Sequence, residues 1–304
     1  MKNRIAALIA TLALALTACS SPSDPLDSGS NDNVITIGTA NFPESEIIGQ
    51  VWAQALEDAG FTVEVTSAIG SREVYLRALE EGSVDLVPEY AGNLAQFYGA
   101  DLPAGASSAD VEKLLTEALP DGLIAGNFAE GESKDAYRVT RSLADDRGLT
   151  TLADLAKLDQ VRVAANPELA ERPYGPRGLT EVYNVDAATI TMVPISDGGG
   201  PLTIAALTDG TADTADIYTT SPLLDAAGNE IDLVTLDDPE GLILPQNVLP
   251  LMRSDALPEG AIDAINGASA LLTTDALVAM NLRNIGKEKA EAPIIARDFL
   301  ANNS

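Results

Sequence analysis

The 304-residue chain has no histidine, one cysteine and one tryptophan, and only 18 lysines and arginines against 46 aspartates and glutamates. Each shortage closes off a class of function. Without histidine there is no Ser–His or Cys–His nucleophile pair and no imidazole metal site. A hydrolase built on carboxylates alone passes that filter, but no motif marks one. A lone cysteine, Cys19, excludes an intrachain disulfide. A net charge of −28 repels nucleic acid and anionic lipid, which argues against both as partners. The same acidity suits solubility, a salty or wall-bound habitat, or a mild enrichment of cationic solutes.

What is present begins with an address. Lys2 and Arg4 precede the apolar run "IAALIATLALALTA", and "LTACS" places Cys19 behind small residues. This is the pattern of a bacterial lipoprotein signal, too short and too rich in small residues to span a bilayer comfortably. Residues 1–18 are expected to be a signal peptide. Residues 19–33, rich in Ser, Asp, Pro and Gly, are expected to be a lipidated flexible tether. The expected location is the extracytoplasmic face of the cell membrane, held by lipid on Cys19. An ordinary secretory signal with an incidental cysteine is the alternative.

Past the tether, strand and helix patterns alternate. "VITIGTA" reads as a strand. The following segment repeats apolar residues at helical spacing (Ile47, Ile48, Val51, Trp52, Ala55, Leu56), with Asn41 as the cap, Pro43 in the first turn and Gly60 at the end. "FTVEVTS", "SREVYLRALEEG" and "VDLVPEY" continue as strand, helix, strand, the pattern of a parallel sheet with crossover helices. The order recurs at "VRVAAN", "RGLTEVYNV", "TITMVPIS", "GPLTIAALTDG" and "TADIYTT". The last two units of each series share a spacing: Ala78, Leu79, Gly82, Asp85 and Tyr90 match Ala206, Leu207, Gly210, Asp213 and Tyr218. Two similar α/β lobes are expected. Ligands of parallel sheets collect beyond the carboxyl ends of strands, where Tyr90 and Tyr218 both fall. Either the two tyrosines wall one cleft from opposite sides or both are core residues. Trp52, on the apolar stripe, reads as core. Arg72 reads as a surface partner of Glu73 or Glu44 rather than a cleft residue.

"GTANFPESEIIGQ", "SREVYLRALEEGSVDLVPEYAGN", "ERPYGPRGLTEVY", "GGGPLTIAALTDGTADTADIYTT" and "LPQNVLPLM" occur in this order. With them the chain resembles substrate-binding lipoproteins of ABC importers for glycine betaine, choline, carnitine and related quaternary amines, over roughly residues 34–300. The resemblance implies a type II periplasmic-binding-protein fold, with two lobes that are each a mostly parallel sheet flanked by helices and a ligand cleft between them. Lobe 1 would comprise 34–125 plus 241–304, and lobe 2 126–240. It implies a monomeric receptor, not an enzyme, with no cofactor, that delivers its solute to a permease and ATPase complex. Closure would be a hinge motion.

The resemblance also implies an aromatic cage. Tyr90 and Tyr218 match cage tyrosines, Asn93 falls where relatives tune ligand choice, and Arg172 matches a cleft arginine able to pair a ligand carboxylate. Asn41, Phe42 and Ser45 lie in the first strand-to-helix turn, Thr219 follows the second tyrosine, and Gly198 to Gly200 would allow close approach of backbone. Three positions depart from the pattern: Ala40 stands where betaine-binding relatives often have a lysine before the Asn–Phe pair, and Asp135 and Gln246 stand where tyrosines are expected, with Tyr137 a substitute if the register is shifted. These departures favour a more polar cationic or zwitterionic guest. A sensory or surface lipoprotein with the same fold and no transport role is the alternative function.

Overall fold

Two glycine-punctuated β-α-β series build the two halves of the protein, described for residues 34–258 and 260–303 in this computed structural model. The signal, Cys19 and the tether lie outside the described residues. The first series runs β1 (Val34–Gly38), α1 (Pro43–Asp58), β2 (Thr62–Thr66), α2 (Arg72–Glu80) and β3 (Leu86–Tyr90). After it come α3 (Ala91–Phe97), α4 (Ser108–Ala118) and β4 (Leu123–Ala125). The second runs β5 (Tyr137–Thr140), α5 (Arg141–Arg147), β6 (Val161–Ala165), α6 (Pro176–Tyr183), β7 (Ile190–Pro194), α7 (Pro201–Thr208), β8 (Thr214–Asp216) and β9 (Leu233–Thr235). The chain then returns as β10 (Val248–Arg253), α8 (Ala261–Ser269), α9 (Thr274–Ile285) and α10 (Ala292–Asn303).

The sheets are built alike, in the orders β2-β1-β3-β10-β4 and β7-β6-β8-β5-β9. In each, three parallel strands are followed by one antiparallel strand, β10 or β5, and then an edge strand. The sequence echo is a structural one down to single hydrogen bonds. Asp85 accepts from the amide of Thr36 at 2.8 Å while its own amide donates to the Thr36 carbonyl. Asp213 does the same with Arg162 on β6. Gly82 and Gly210 close α2 and α7 with the same left-handed φ of +77°, which explains why both positions are glycine.

Apolar periodicity places the core. Ile47, Ile48, Val51, Trp52 and Leu56 of α1 are buried and pack with α8, α9 and α10. Trp52 is wholly buried, its indole N–H donating to Ser269 Oγ at 3.0 Å. The expected cap of α1 is corrected. Phe42, not Asn41, sits at the N-cap and offers no side-chain bond, and Ser45 inside the first turn accepts from the Ala40 amide at 3.0 Å. The strand expected over "TADIYTT" stops at Asp216, where Ile217 leaves its partner β6 and donates its amide to Ala136 instead.

Two chain segments, 126–136 and 236–247, cross between the sheets and hydrogen-bond one another, Ser133 N to Gln246 O and Glu132 opposite Asn247. Gly131 is packed so tightly there that a Cβ would lie 2.7 Å from the Leu272 carbonyl oxygen.

Candidate functional site

The carboxyl ends of β3 and β8 point at each other across a cavity of about 140 Å³. From the first half come Asn41 and Phe42 after β1, Arg72 and Tyr75 on α2, Tyr90 at the end of β3 and Asn93 on α3. From the second come Asp135 before β5, Arg172 and Tyr174 after a short 3₁₀ turn (Pro167–Glu171), and Asp216 and Tyr218 at the end of β8. Phe42 lies between the two echoed tyrosines, its ring centroid 6.1 Å from that of Tyr90 and 5.8 Å from that of Tyr218. One continuous aromatic wall therefore joins the halves.

The two phenol hydroxyls are held differently. Tyr90 Oη donates to Glu44 Oε1 at 2.7 Å. Glu44, buried at the start of α1, also accepts from Thr220 Oγ1 and Asn281 Nδ2, each at 2.5 Å. Thr220 Oγ1 lies 2.7 Å from Ser133 Oγ. Thr220 follows β8, so this carboxylate stitches the two halves together behind the Tyr90 ring. Tyr218 Oη accepts weakly from Asn166 Nδ2 at 3.4 Å. Burial, and for Tyr90 the Glu44 carboxylate, push the phenols of Tyr75, Tyr90, Tyr174 and Tyr218 well above their ordinary range, so all four are neutral faces.

Charge is distributed unevenly. Arg72 donates from Nε and Nη2 to the two oxygens of Glu89 at 2.9 and 3.0 Å, and Tyr75 Oη donates to the same carboxylate at 2.8 Å. Glu89 is fully buried, so the pair is an internal, two-pronged ion pair. At the rim Arg172 pairs with Glu73 across the halves at 2.9 Å. Both arginines of the wall are thus already neutralised. The second half supplies two buried carboxyls, Asp135 and Asp216. Asn93 Nδ2 donates to Asp135 Oδ2 at 3.0 Å, and the Ala136 amide donates to Asp216 Oδ1 at 3.1 Å. Burial, and after it the adjoining Asp135 carboxyl, hold the Asp216 carboxyl well above the usual carboxylate range. Buried Arg138 stands behind, its Nη2 donating to the Tyr218 carbonyl.

Of the residues singled out in the sequence, Tyr90, Tyr218, Phe42, Asn41, Asn93, Arg172 and Asp135 meet on the cavity. Three others do not. Ser45 is spent on the Ala40 amide. Thr219 is exposed and pairs with Lys134 on the outer side. Gln246 is fully buried one step back, accepting from the Asn93 amide at 3.0 Å and donating to Asn93 Oδ1 at 2.7 Å. It orients Asn93, which in turn holds Asp135. Tyr137 is no substitute cage ring, because it lies in the core and donates to the Tyr174 carbonyl. The surface reading of Arg72 is overturned by its partner Glu89. Gly198 approaches the Phe42 side chain across the halves, where a Cβ would lie 3.4 Å from the Phe42 Cβ. Sequence reasoning missed Tyr75, Tyr174 and Asp216. Tyr174 lies inside the quoted "ERPYG" run, and Asp216 is a carboxylate in a strand whose three residues are all buried, beside the apolar Ile217.

Two α/β sheets joined by two crossing chain segments, with a ligand-sized cavity between their carboxyl ends, define a two-lobed solute-binding protein. The chain belongs to the OpuAC family, described as the substrate binding domain of ABC-type glycine betaine transport systems, whose model matches residues 33–302. It is accordingly an extracytoplasmic solute-binding component of an ABC transport system and not an enzyme. Over 279 residues it is 26% identical to the glycine betaine-binding protein YehZ of Escherichia coli, covering 88% of this chain and 89% of that one. It is 26% identical to the carnitine transport binding protein OpuCC of Listeria monocytogenes, covering 100% and 98%. A crystal structure titled as a glycine betaine/carnitine/choline ABC transporter shares the fold, with a TM-score of 0.68 at 20% identity over 88% of this chain and 98% of that one. Among the described residues no helix is long and apolar enough to cross a membrane, and no group of three or more potential metal-ligating side chains occurs.

Proposed function

We propose that the cavity captures a quaternary ammonium or closely related cationic or zwitterionic solute and that the protein hands it to its permease. The observation that carries this reading is the aromatic wall of Phe42, Tyr90 and Tyr218, drawn from both halves and facing two buried carboxyls. A quaternary ammonium has no N–H to donate. It is recognised by ring faces, each worth about 0.5–2 kcal/mol, and by nearby negative charge. The names of the relatives, which speak of glycine betaine and carnitine, favour a guest of that class.

In this reading residues 34–125 with 241–304 move as one lobe and 126–240 as the other, about the crossing segments. Tyr90, Tyr218, Phe42, Tyr75 and Tyr174 supply the faces. Asn41, Asn93, Arg172, Asp135 and Asp216 supply polarity, and Gln246 positions Asn93. The protein works as a monomer, tethered through lipid on Cys19. Titration calorimetry with choline, glycine betaine and carnitine tests the cage. Tyr90→Ala and Tyr218→Ala are each expected to weaken the best of these ligands about tenfold or more, the loss of one strong ring contact, with thermal unfolding still cooperative. Unchanged affinity in both variants rejects the cage. Cys19→Ser is expected to release the protein from membranes into the soluble fraction; an unaltered membrane fraction rejects the anchor.

A further inference from the structure

We propose that Asp135 and Asp216 form a proton-sharing pair that selects a guest of net positive charge, and that entry of that guest expels the shared proton. This rests on the reading of the cavity as the guest site and goes further, naming the charge class of the guest and the ionic event that accompanies capture.

Both side chains line the cavity and both are more than nine-tenths buried, at 7% and 6% exposure. Asp135 directly precedes Ala136, whose amide donates to Asp216 Oδ1 at 3.1 Å, and Tyr137 stands opposite Asp216 in the β5–β8 register; two buried carboxyls so placed on one cavity hold one proton between them more readily than two negative charges. The charge count immediately around them is small. With one proton the pair carries a single negative charge, balanced by the buried guanidinium of Arg138, whose Nε has no partner. Loss of the proton leaves one negative charge uncompensated, and one ammonium restores the balance.

The other groups facing the pair are constant. From β5, after β8 and before α6 come Tyr137, Tyr218 and Tyr174, all kept neutral by burial. From α3 comes the Asn93 amide. From α2 comes Arg72, held by both oxygens of Glu89. Glu168 and Arg172 sit on the same wall at the rim, the arginine engaged by Glu73. A zwitterion brings no net charge to offset the lost proton, and its carboxylate meets two arginines that are already paired. A cation without a carboxylate meets the pair alone. The step is a simple exchange: the guest forms no covalent bond, and the proton passes from the Asp216 carboxyl to solvent buffer.

The experiment is calorimetric titration of the full-length chain with choline chloride and with glycine betaine, from about pH 5 to about pH 8, each in two buffers of different ionisation enthalpy. For choline the affinity is expected to rise about tenfold or more over that range, the effect of moving one bound carboxyl by one pKa unit, and the heat to differ between buffers as a proton is released. Glycine betaine is expected to bind more weakly near pH 8 and with a shallower profile. Asp216→Asn keeps an acceptor for the Ala136 amide and a donor toward Asp135, and so mimics the protonated pair. Its choline affinity is expected to be flat with pH and buffer-independent. Binding of both ligands by the wild type with flat profiles and buffer-independent heats overturns the inference alone, as does an Asp216→Asn variant that keeps the wild-type pH dependence. Binding of neither ligand by a chain that unfolds cooperatively overturns the cage reading as well. The two-buffer measurement on the wild type decides the matter even if Asp216→Asn does not fold.

Discussion

The two halves use one device and put its charge to different ends. In the first, the residue just before the tyrosine is Glu89, which turns toward α2 and is consumed by Arg72 and Tyr75. In the second, the equivalent of Glu89 is the apolar Ile217, and the carboxylate stands one residue earlier, at Asp216, where the first half has Pro88. Successive strand side chains point to opposite faces. A carboxylate moved by one position therefore looks onto different neighbours. Glu89 faces an arginine and becomes part of the framework. Asp216 faces Asp135 and the cavity, and remains available for exchange. Glycine, aspartate and tyrosine of the repeat set the scaffold, and the residues between them decide what each half contributes.

The largest effect expected from breaking this contrast is on stability. Glu89→Gln leaves a buried guanidinium without its counter-charge, a loss of about 3–5 kcal/mol by denaturant unfolding. Asp216→Asn, at the charge-bearing site of the other half, is expected to cost far less at neutral pH. Equal losses would mean that both carboxylates are framework. Next come the tyrosines. Tyr90→Phe removes a donor from the buried Glu44 cluster and should cost about 1–3 kcal/mol of stability. Tyr218→Phe gives up only a long contact to Asn166 and should be close to neutral; a reversal of that ranking would break the assignment of Glu44 as the clasp behind Tyr90.

A third, graded effect follows from pH. The Asp216 carboxyl titrates higher in the folded chain than in the unfolded one. The native state therefore binds more protons between the two values, and stability falls as pH rises from about 4 through the folded value. Acid-to-neutral unfolding curves should show that fall in the ligand-free wild type and lose it in Asp216→Asn. The smallest effect separates the two glycines. Gly210→Ala places a side chain at φ +77° in open space and should cost about 1–2 kcal/mol. Gly82→Ala meets the Arg253 guanidinium, which pairs with Asp85, and should cost somewhat more; identical melting points would show that Arg253 moves aside freely.

Much of this plan was legible in the sequence because it depends on periodicity. The α1 stripe, the β-α-β order and the repeated Gly–Asp–Tyr spacing follow from patterns of 3.6 and 2 residues, whereas the spacing left Tyr90 and Tyr218 open between cleft and core, and only the family resemblance implied a shared cage. What was not legible depends on which long side chain reaches which partner. Arg72 could have met Glu73, Glu44 or Glu89, and spacing does not choose among them. Ser45 and Gln246 lie beside the site in sequence and in space, yet each is used by a backbone amide. Tyr174 reaches the cavity from a 3₁₀ turn whose direction no periodicity encodes, and Asp216 acquires its meaning only when β5 brings Asp135 beside it.

The central claim is that rings from both halves enclose one positively charged guest. A crystal structure of the chain with choline tests it most directly. The account predicts the trimethylammonium group against the faces of Phe42, Tyr90 and Tyr218, with the Asp135–Asp216 pair as the nearest negative charge. A guest seated elsewhere, or touching the rings of one half alone, would contradict it.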